Sequence, residues 1–382
     1  MKVKGKHYTA IWPDRENGGS INVIDQKKLP FRFEIVSLSD FKSCCDAICD
    51  MTVRGAPLIG ITAAYSLYIA SCESEKSADP LHEISEKADT LKKTRPTAVN
   101  LTHATDYMLD KLTHLLPGQT LKEEAFRAAG KYFENEVECC KAIGQAGLPL
   151  IEEISRKKNG KTVNILTHCN AGWLACGDYG TATAPIYLAH DKGIKVHVWV
   201  DETRPRNQGS KLTAWELGMH GVPHTVIPDN TGGYLMQHGM VDIVIVGSDR
   251  TTRNGDVANK IGTYLKALAA KDNNIPFYVA LPTSTIDMNI SCGLTETPIE
   301  ERSQDEVRYI EGQTENRIVR ISIMPDESPA VNYGFDVTPA RLVSGLITEL
   351  GIFAAKETEI YRMFKIKQIS NRPGNDLSSK LS

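Results

Sequence analysis

One stretch constrains this chain more than any other. Val241-Asp242-Ile243-Val244-Ile245-Val246 is a nearly continuous apolar run, and Gly247 stops it. Ser248, Asp249 and Arg250 follow at once. A Val/Ile run of this length reads as a strand buried on both faces of a parallel sheet. In open α/β sheets ligands sit beyond the carboxyl ends of the strands. Ser248, Asp249, Arg250 and, further on, Asn259 and Lys260 therefore fall where chemistry is expected. Taken alone, Asp249 would cap a helix and Arg250 would form a surface ion pair. The density of polar groups on one loop argues for a site instead.

The chain around this stretch repeats its pattern. Strand-like runs at 162–166, 195–200, 224–227, 242–246 and 277–281 alternate with helical stretches near 182–190, 214–220, 232–239 and 262–270. That alternation predicts an α/β unit with a Rossmann-like, doubly wound parallel sheet. A further strand is expected at 318–324. Thr338-Pro339 is expected to open a last helix with Leu342, Val343, Leu346, Ile347 and Leu350 on one face.

The N-terminal part reads differently. The β-prone runs at 8–12, 21–24 and 31–36 predict a small antiparallel sheet, with Asn17-Gly18-Gly19 as its first turn. Helical periodicity begins near Asp40. Arg54-Gly55-Ala56-Pro57 enters an apolar helix, with Pro57 in the first turn, where its missing N–H costs nothing. The free amides there, beside Arg54, make either an anion site or a packing turn. Arg95 precedes a stripe of Leu101, Ala104, Met108, Leu112 and Leu115. Pro117-Gly118 breaks that helix, and Thr120 with Glu123 forms a capping box for the next. The stretch 144–159 is expected as a hinge. The expected division is a β-sheet and helical unit at 1–150, a catalytic Rossmann-like unit at 151–370 and a polar tail at 371–382.

Composition excludes several classes. A chain of 382 residues is too long for one ordinary core. Its net charge is -3, without a basic stripe, which argues against nucleic acid as a partner. Nothing approaches the ~18 consecutive apolar residues of a membrane span. The charged Met1 to His7 stretch carries no apolar core of a secretory signal. Nine cysteines, an odd number, show no disulfide framework and no zinc spacing. Free thiols in a cytoplasmic protein are the simplest account, and nothing in the sequence bars it from the nucleus.

Each predicted strand end carries a polar group. The first gives Thr167-His168-Cys169-Asn170-Ala171-Gly172. Cys169 there is either a reactive thiol or a small buried residue. His168 is its neighbour, but adjacent strand residues face opposite ways, so a Cys–His dyad is not expected. The second gives Asp201-Glu202-Thr203-Arg204-Pro205, then Gln208-Gly209. The glycines at 172, 177 and 180 do not form a dinucleotide fingerprint, and no phosphate-binding P-loop is present. The fifth gives the hydroxyl-rich Pro282-Thr283-Ser284-Thr285-Ile286-Asp287.

Together these segments resemble the methylthioribose-1-phosphate isomerase family. The resemblance rests on Arg54-Gly55-Ala56-Pro57, Arg95-Pro96-Thr97, Thr167 to Gly172, Thr203-Arg204-Pro205 with Gln208-Gly209, Gly247 to Arg250 and Asn254 to Tyr264. Pro282 to Asp287, Ile299-Glu300-Glu301-Arg302 and Phe335 to Pro339 extend it. It spans roughly residues 8 to 355, and the set is specific although each motif alone is weak. It implies Cys169 and Asp249 as the catalytic pair. It implies Arg54, Gly55, Ala56, Arg95, Gln208, Asn259 and Lys260 as substrate-binding positions, with no metal, no cofactor and a homodimer. The implied substrate is a small phosphorylated sugar. Ser248 stands where the family usually has Ala. Two other functions stay open: a ribose-1,5-bisphosphate isomerase on the same scaffold, and a non-catalytic regulatory subunit of the translation-initiation nucleotide-exchange factor.

Overall fold

A computed structural model of the chain describes residues 1–370 except 15–17, 96–98, 116–117 and 316. Asn17 of the expected first turn, Pro96 and Thr97 after Arg95, the helix-breaking Pro117 and the expected tail at 371–382 lie outside the described residues. The apolar runs of the second half form one sheet. In chain order its strands are β1 (Val163–Thr167), β2 (Val196–Asp201), β3 (His224–Ile227), β4 (Ile243–Val246), β5 (Phe277–Ala280), β6 (Gly345–Thr348) and β7 (Gly351–Phe353). Across the sheet they run β7-β6-β5-β4-β1-β2-β3. Every pair is parallel except the closing β6–β7 hairpin.

β4 is buried at every residue, which is why its sequence does not alternate. Its residues still point two ways. Ile243 and Ile245 join the core shared with the N-terminal helices, whereas Val244 and Val246 join the core on the other face. The winding direction reverses between β1 and β4. That reversal opens a crevice above their carboxyl ends, the place where a doubly wound sheet binds its ligand.

The N-terminal half supplies the roof. A three-stranded antiparallel sheet (Ile11–Pro13, Ile21–Ile24, Ile35–Leu38) leads into helices Phe41–Cys49, Ala56–Glu73, Pro80–Thr94, Val99–Thr113 and Leu121–Lys157. The stretch 144–159, expected as a hinge, is mostly the second half of that last helix, and the expected division at 150 falls inside it. Gly144 serves close packing there: a Cβ would lie 3.0 Å from the Cβ of Ala184.

Two further expectations are corrected. Pro339 does not open a helix. Residues Ala340–Leu342 make one 3-10 turn, and the apolar residues after it form β6 and β7. Short apolar runs carry no period that separates a buried helix from a buried strand. The last helix is Glu357–Ser370. The strand expected near 318–324 spans Arg317–Ser322 and pairs with Tyr309–Thr314 in a hairpin outside the large sheet.

Candidate active site

β1 ends at Thr167, and the chain then turns sharply. Cys169 takes a left-handed conformation, φ +66°, uncommon for a residue with a side chain. Its N–H donates to Thr203 Oγ1 at 2.8 Å, and its carbonyl accepts from Thr213 Oγ1 at 2.6 Å. These bonds hold the turn from two sides. His168 is engaged elsewhere: Nδ1 lies 2.8 Å from Asp201 Oδ2, and Nε2 lies 2.8 Å from the Ile261 carbonyl. His168 therefore gives the thiol no base; both residues lie past the end of β1, so the left-handed turn at Cys169 and the bonds of His168, rather than strand alternation, keep them apart. His168, Asp201 and Asp229 are grouped closely enough to suit a metal ion. Lys266 fills that electrostatic role, with its ammonium 3.2 Å from Asp201 and bonded to the Asp229 carbonyl.

β4 does not lead into a helix, so Asp249 caps nothing. The chain folds into a hairpin in which Arg250–Thr252 pairs antiparallel with Val257–Lys260. The Asp249 N–H donates to the Ala258 carbonyl at 3.0 Å. That register brings Asn259 and Lys260 beside Asp249, although they are ten and eleven residues away in sequence. Asn259 Nδ2 donates to Thr263 Oγ1 at 3.1 Å. The Lys260 ammonium lies 4.5 Å from the centre of the Phe335 ring. Arg250 ion-pairs with Asp287 at 3.1 Å, the bland role open to it from sequence.

From the roof, Gly55 precedes helix Ala56–Glu73 with φ +93°. A Cβ there would fall 2.5 Å from the Cβ of Ala175, so only glycine lets the helix start approach the turn after β1. The first-turn amides have no partner within the helix. Arg54 donates to Asn170 Oδ1 at 2.5 Å and to the Asn170 carbonyl at 2.7 Å. Arg95 ends helix Pro80–Thr94 and reaches Glu300 at 3.4 Å. Its Nε and Nη1 are buried without a partner among the described residues, as is the Gln208 side-chain carbonyl. Buried donors left open in this way are costly unless an acceptor arrives.

Cys169, Asp249, Arg54, Gly55, Ala56, Arg95, Gln208, Asn259 and Lys260 all line one cleft at the sheet's reversal point. Burial raises the Asp249 carboxyl above its ordinary range, against the pull of Lys260, Arg54 and Arg95. Burial likewise raises the Cys169 thiol, with Arg54 and Lys260 opposing and Asp249 adding to the rise. Burial lowers the Lys260 ammonium. The arrangement sets a carboxyl whose proton burial favours and a thiol beside two guanidinium groups and a helix N-terminus, a setting for an anion and for proton chemistry. Three contributors carried no assigned role in the sequence: Asn170 under Arg54, Glu300 against Arg95 and Phe335 under Lys260. All three stand in the quoted motifs, but only the fold sets their partners.

Known proteins resemble this chain in sequence and in fold. The model of the Initiation factor 2 subunit family matches residues 52–355. Methylthioribose-1-phosphate isomerase of Desulfatibacillum aliphaticivorans is 58% identical, covering 96% of this chain and all of that protein. The protein of the same name from Methylocella silvestris is 56% identical over 96% of this chain and 99% of its own length. Among solved structures, 5-methylthioribose 1-phosphate isomerase from Pyrococcus horikoshii OT3 superposes with a TM-score of 0.80 at 35% identity, covering 94% of this chain and 97% of that one. Translation initiation factor eIF-2B, subunit delta, from A. fulgidus gives 0.76 at 37%, covering 94% and 100%. The fold is thus shared by an isomerase and a translation factor, while these two curated relatives carry the isomerase name. By sequence over nearly its whole length, the chain belongs to the methylthioribose-1-phosphate isomerases within the Initiation factor 2 subunit family.

Proposed function

We propose that this chain is an aldose–ketose isomerase that converts 5-methylthioribose 1-phosphate to 5-methylthioribulose 1-phosphate in methionine salvage. The observation that carries the reading is the single cleft in which Asp249, Cys169, Arg54, Arg95 and the helix start at Gly55 meet. A phosphate ester on the anomeric oxygen blocks ordinary hemiacetal opening. The bond from C1 to the ring oxygen must break while that oxygen gains a proton. Asp249, kept protonated by burial, is the acid, and its proton becomes that of the new C4 hydroxyl. The hydrogen lost at C2 is regained at C1, and the C2 hydroxyl gives up its proton as the ketone forms. The reaction balances without an external oxidant or reductant, so it calls for no redox cofactor. Cys169 acts at the C1–C2 edge. Arg54, Arg95 and the amides of Gly55 and Ala56 hold the phosphate, and Gln208, Asn259 and Lys260 bind the sugar.

The same reading takes the residues up to the end of helix Leu121–Lys157 as the roof unit and those from there to 370 as the catalytic unit of a homodimer that works in the cytoplasm, with the nucleus left open. The deciding experiment is ketose formation from methylthioribose 1-phosphate without added metal or cofactor, run beside ribose 1,5-bisphosphate. Turnover of the methylthio substrate alone supports the proposal. Preference for the bisphosphate would reassign the substrate, and inactivity on both would favour the regulatory-subunit reading. Light scattering at assay concentration tests the dimer.

A further inference from the structure

Two sheets meet at the cleft. Cys169 stands on the large one, just past the end of β1. Asn259 and Lys260 stand on a smaller one, in which Val257–Lys260 runs between Arg250–Thr252 and Phe335–Thr338. A site divided in this way works only while the two sheets keep their spacing. His168, which the chemistry above leaves unused, spans them. Its side chain lines the cleft wall yet is only 1% exposed.

The ring is held at both nitrogens. Nε2 lies 2.8 Å from the carbonyl of Ile261, the residue directly after Lys260. A carbonyl oxygen only accepts, so Nε2 carries a proton and donates it. Nδ1 lies 2.8 Å from Asp201 Oδ2, at the end of β2. Asp201 is itself fixed. The Lys266 ammonium stands 3.2 Å from the same oxygen. Thr203 Oγ1, which accepts the Cys169 N–H, donates to the Asp201 carbonyl at 3.0 Å. The ring is thus anchored to the strand ends that also hold the Cys169 turn. On the other sheet, the Ile261 N–H donates to the Gly334 carbonyl at 3.1 Å. Gly262 gives the ring room: its φ is +103°, and a Cβ there would lie 3.0 Å from His168 Cε1.

We propose that His168 is a positioning residue: its Nε2–H bond to the Ile261 carbonyl holds Asn259 and Lys260 in register with Cys169 across the cleft. The inference rests on the isomerase reading for its substrate but not for its geometry. Both ring nitrogens are engaged by the protein, so His168 is not a catalytic residue. Removing the Nε2 donor leaves the Ile261 carbonyl without that partner and frees the strand end that carries Lys260 to shift. The phosphate ligands Arg54 and Arg95 come from the roof and take no part in the tie. The loss should therefore fall on the alignment of the sugar with Cys169 and not on the hold of the phosphate.

Two amide substitutions separate the two bonds. In His168→Gln the side-chain NH2 reaches as far as Nε2 did and keeps the Ile261 bond. In His168→Asn it reaches only as far as Nδ1 and keeps the Asp201 bond alone. Turnover of the sugar phosphate should fall roughly 10²-fold in His168→Asn, the usual cost of a misplacement of about 1 Å. Most of that loss should be recovered in His168→Gln. Calorimetric affinity for inorganic phosphate should match wild type in both variants. Equal losses in the two variants, or a greater loss in Gln, would make His168 a packing residue and overturn the inference. A fall in phosphate affinity as large as the fall in turnover would overturn it too, as general damage to the cleft. The tie is also readable without turnover. Isotope-labelled histidine in the wild type should show an imidazole Nε2–H resonance protected from solvent exchange, assigned to His168 by its loss in either variant. Its absence overturns the inference, whereas inactivity on the sugar with that resonance present refutes the isomerase reading and leaves the tie standing. If His168→Asn does not fold, Gly262→Ala replaces it. A Cβ pressed against the ring should lower turnover at unchanged phosphate affinity, and unchanged turnover would overturn the inference.

Discussion

Asp249 and Cys169 share one cleft, and burial acts on both in the same direction. A carboxyl raised above its ordinary range holds its proton more tightly than a free one, and in the function proposed above it gives that proton to the leaving ring oxygen. Asp249→Asn preserves shape and hydrogen bonding but has no proton to give. It should fold normally and lose roughly 10²–10⁴ in turnover, the usual worth of a general acid. Normal turnover in a folded Asn variant would take Asp249 out of the reaction. The thiol argues in a complementary way. Raised rather than lowered, Cys169 is not a ready thiolate, and it has no histidine to take its proton. That favours direct movement of hydrogen from C2 to C1 over abstraction by a resting base. Deuterium placed at C2 should then arrive intact at C1, and no solvent deuterium should enter. Solvent label in the product would make Cys169 a base. Both residues are legible in the sequence as polar ends of apolar runs. Their nearness is implied there by the resemblance alone, because the runs themselves do not give the strand order that sets β1 beside β4.

At the scale of elements, what the sequence told plainly was where strong periodicity or a continuous Val/Ile run left one choice. β1 to β5 fall close to the expected runs. The region after Pro339 was misread because Leu346 and Ile347 fit both a helix face and a buried strand, and only pairing with β5 decides between them. The hairpin after β4 was likewise hidden: Asn254-Gly255-Asp256 signals a turn, yet its consequence is the placing of Asn259 and Lys260 next to Asp249. The start of helix Ala56–Glu73 depends on one contact. Gly55→Ala adds a Cβ 2.5 Å from Ala175 at φ +93°, so the helix start must withdraw from the turn after β1. Backbone strain alone should cost about 1–3 kcal/mol, and the withdrawn amides should weaken substrate binding as well. Gly160→Ala is the control, since Gly160 also has positive φ but open space around it. It should lose stability in urea without a change in KM. A Gly55→Ala enzyme with unchanged KM would detach the helix N-terminus from the phosphate.

For the whole molecule, the joint between roof and sheet carries a second buried acid. Glu136, on the long helix Leu121–Lys157, has an Oε2 with no partner among the described residues. Burial, with Glu349 adding to it and Lys367 opposing, pushes its carboxyl up to about 7 from 4.5. The sign of the effect on stability follows from proton counting. Between pH 4.5 and about 7 the folded chain holds a proton here that the unfolded chain has lost, so stability is full below 4.5 and declines as pH rises through 7. Glu306 works the opposite way. Its ion pairs with Arg302 and Arg206 hold it down at about 2 despite burial, so its contribution is present above 4.5 and disappears as pH falls towards 2. These two groups together favour a stability maximum near pH 5. Gln at position 136 keeps the shape and cannot ionise. Urea unfolding at pH 5 and pH 8 should show a decline in the wild type that is smaller in Glu136→Gln by on the order of 3 kcal/mol, the free energy of the shift. The variant should therefore be the more stable protein at pH 8 and about equal to wild type at pH 5. Equal declines in both proteins would mean that Glu136 ionises as freely in the fold as in the unfolded chain, and the joint would then have to admit water to the helix face that carries it.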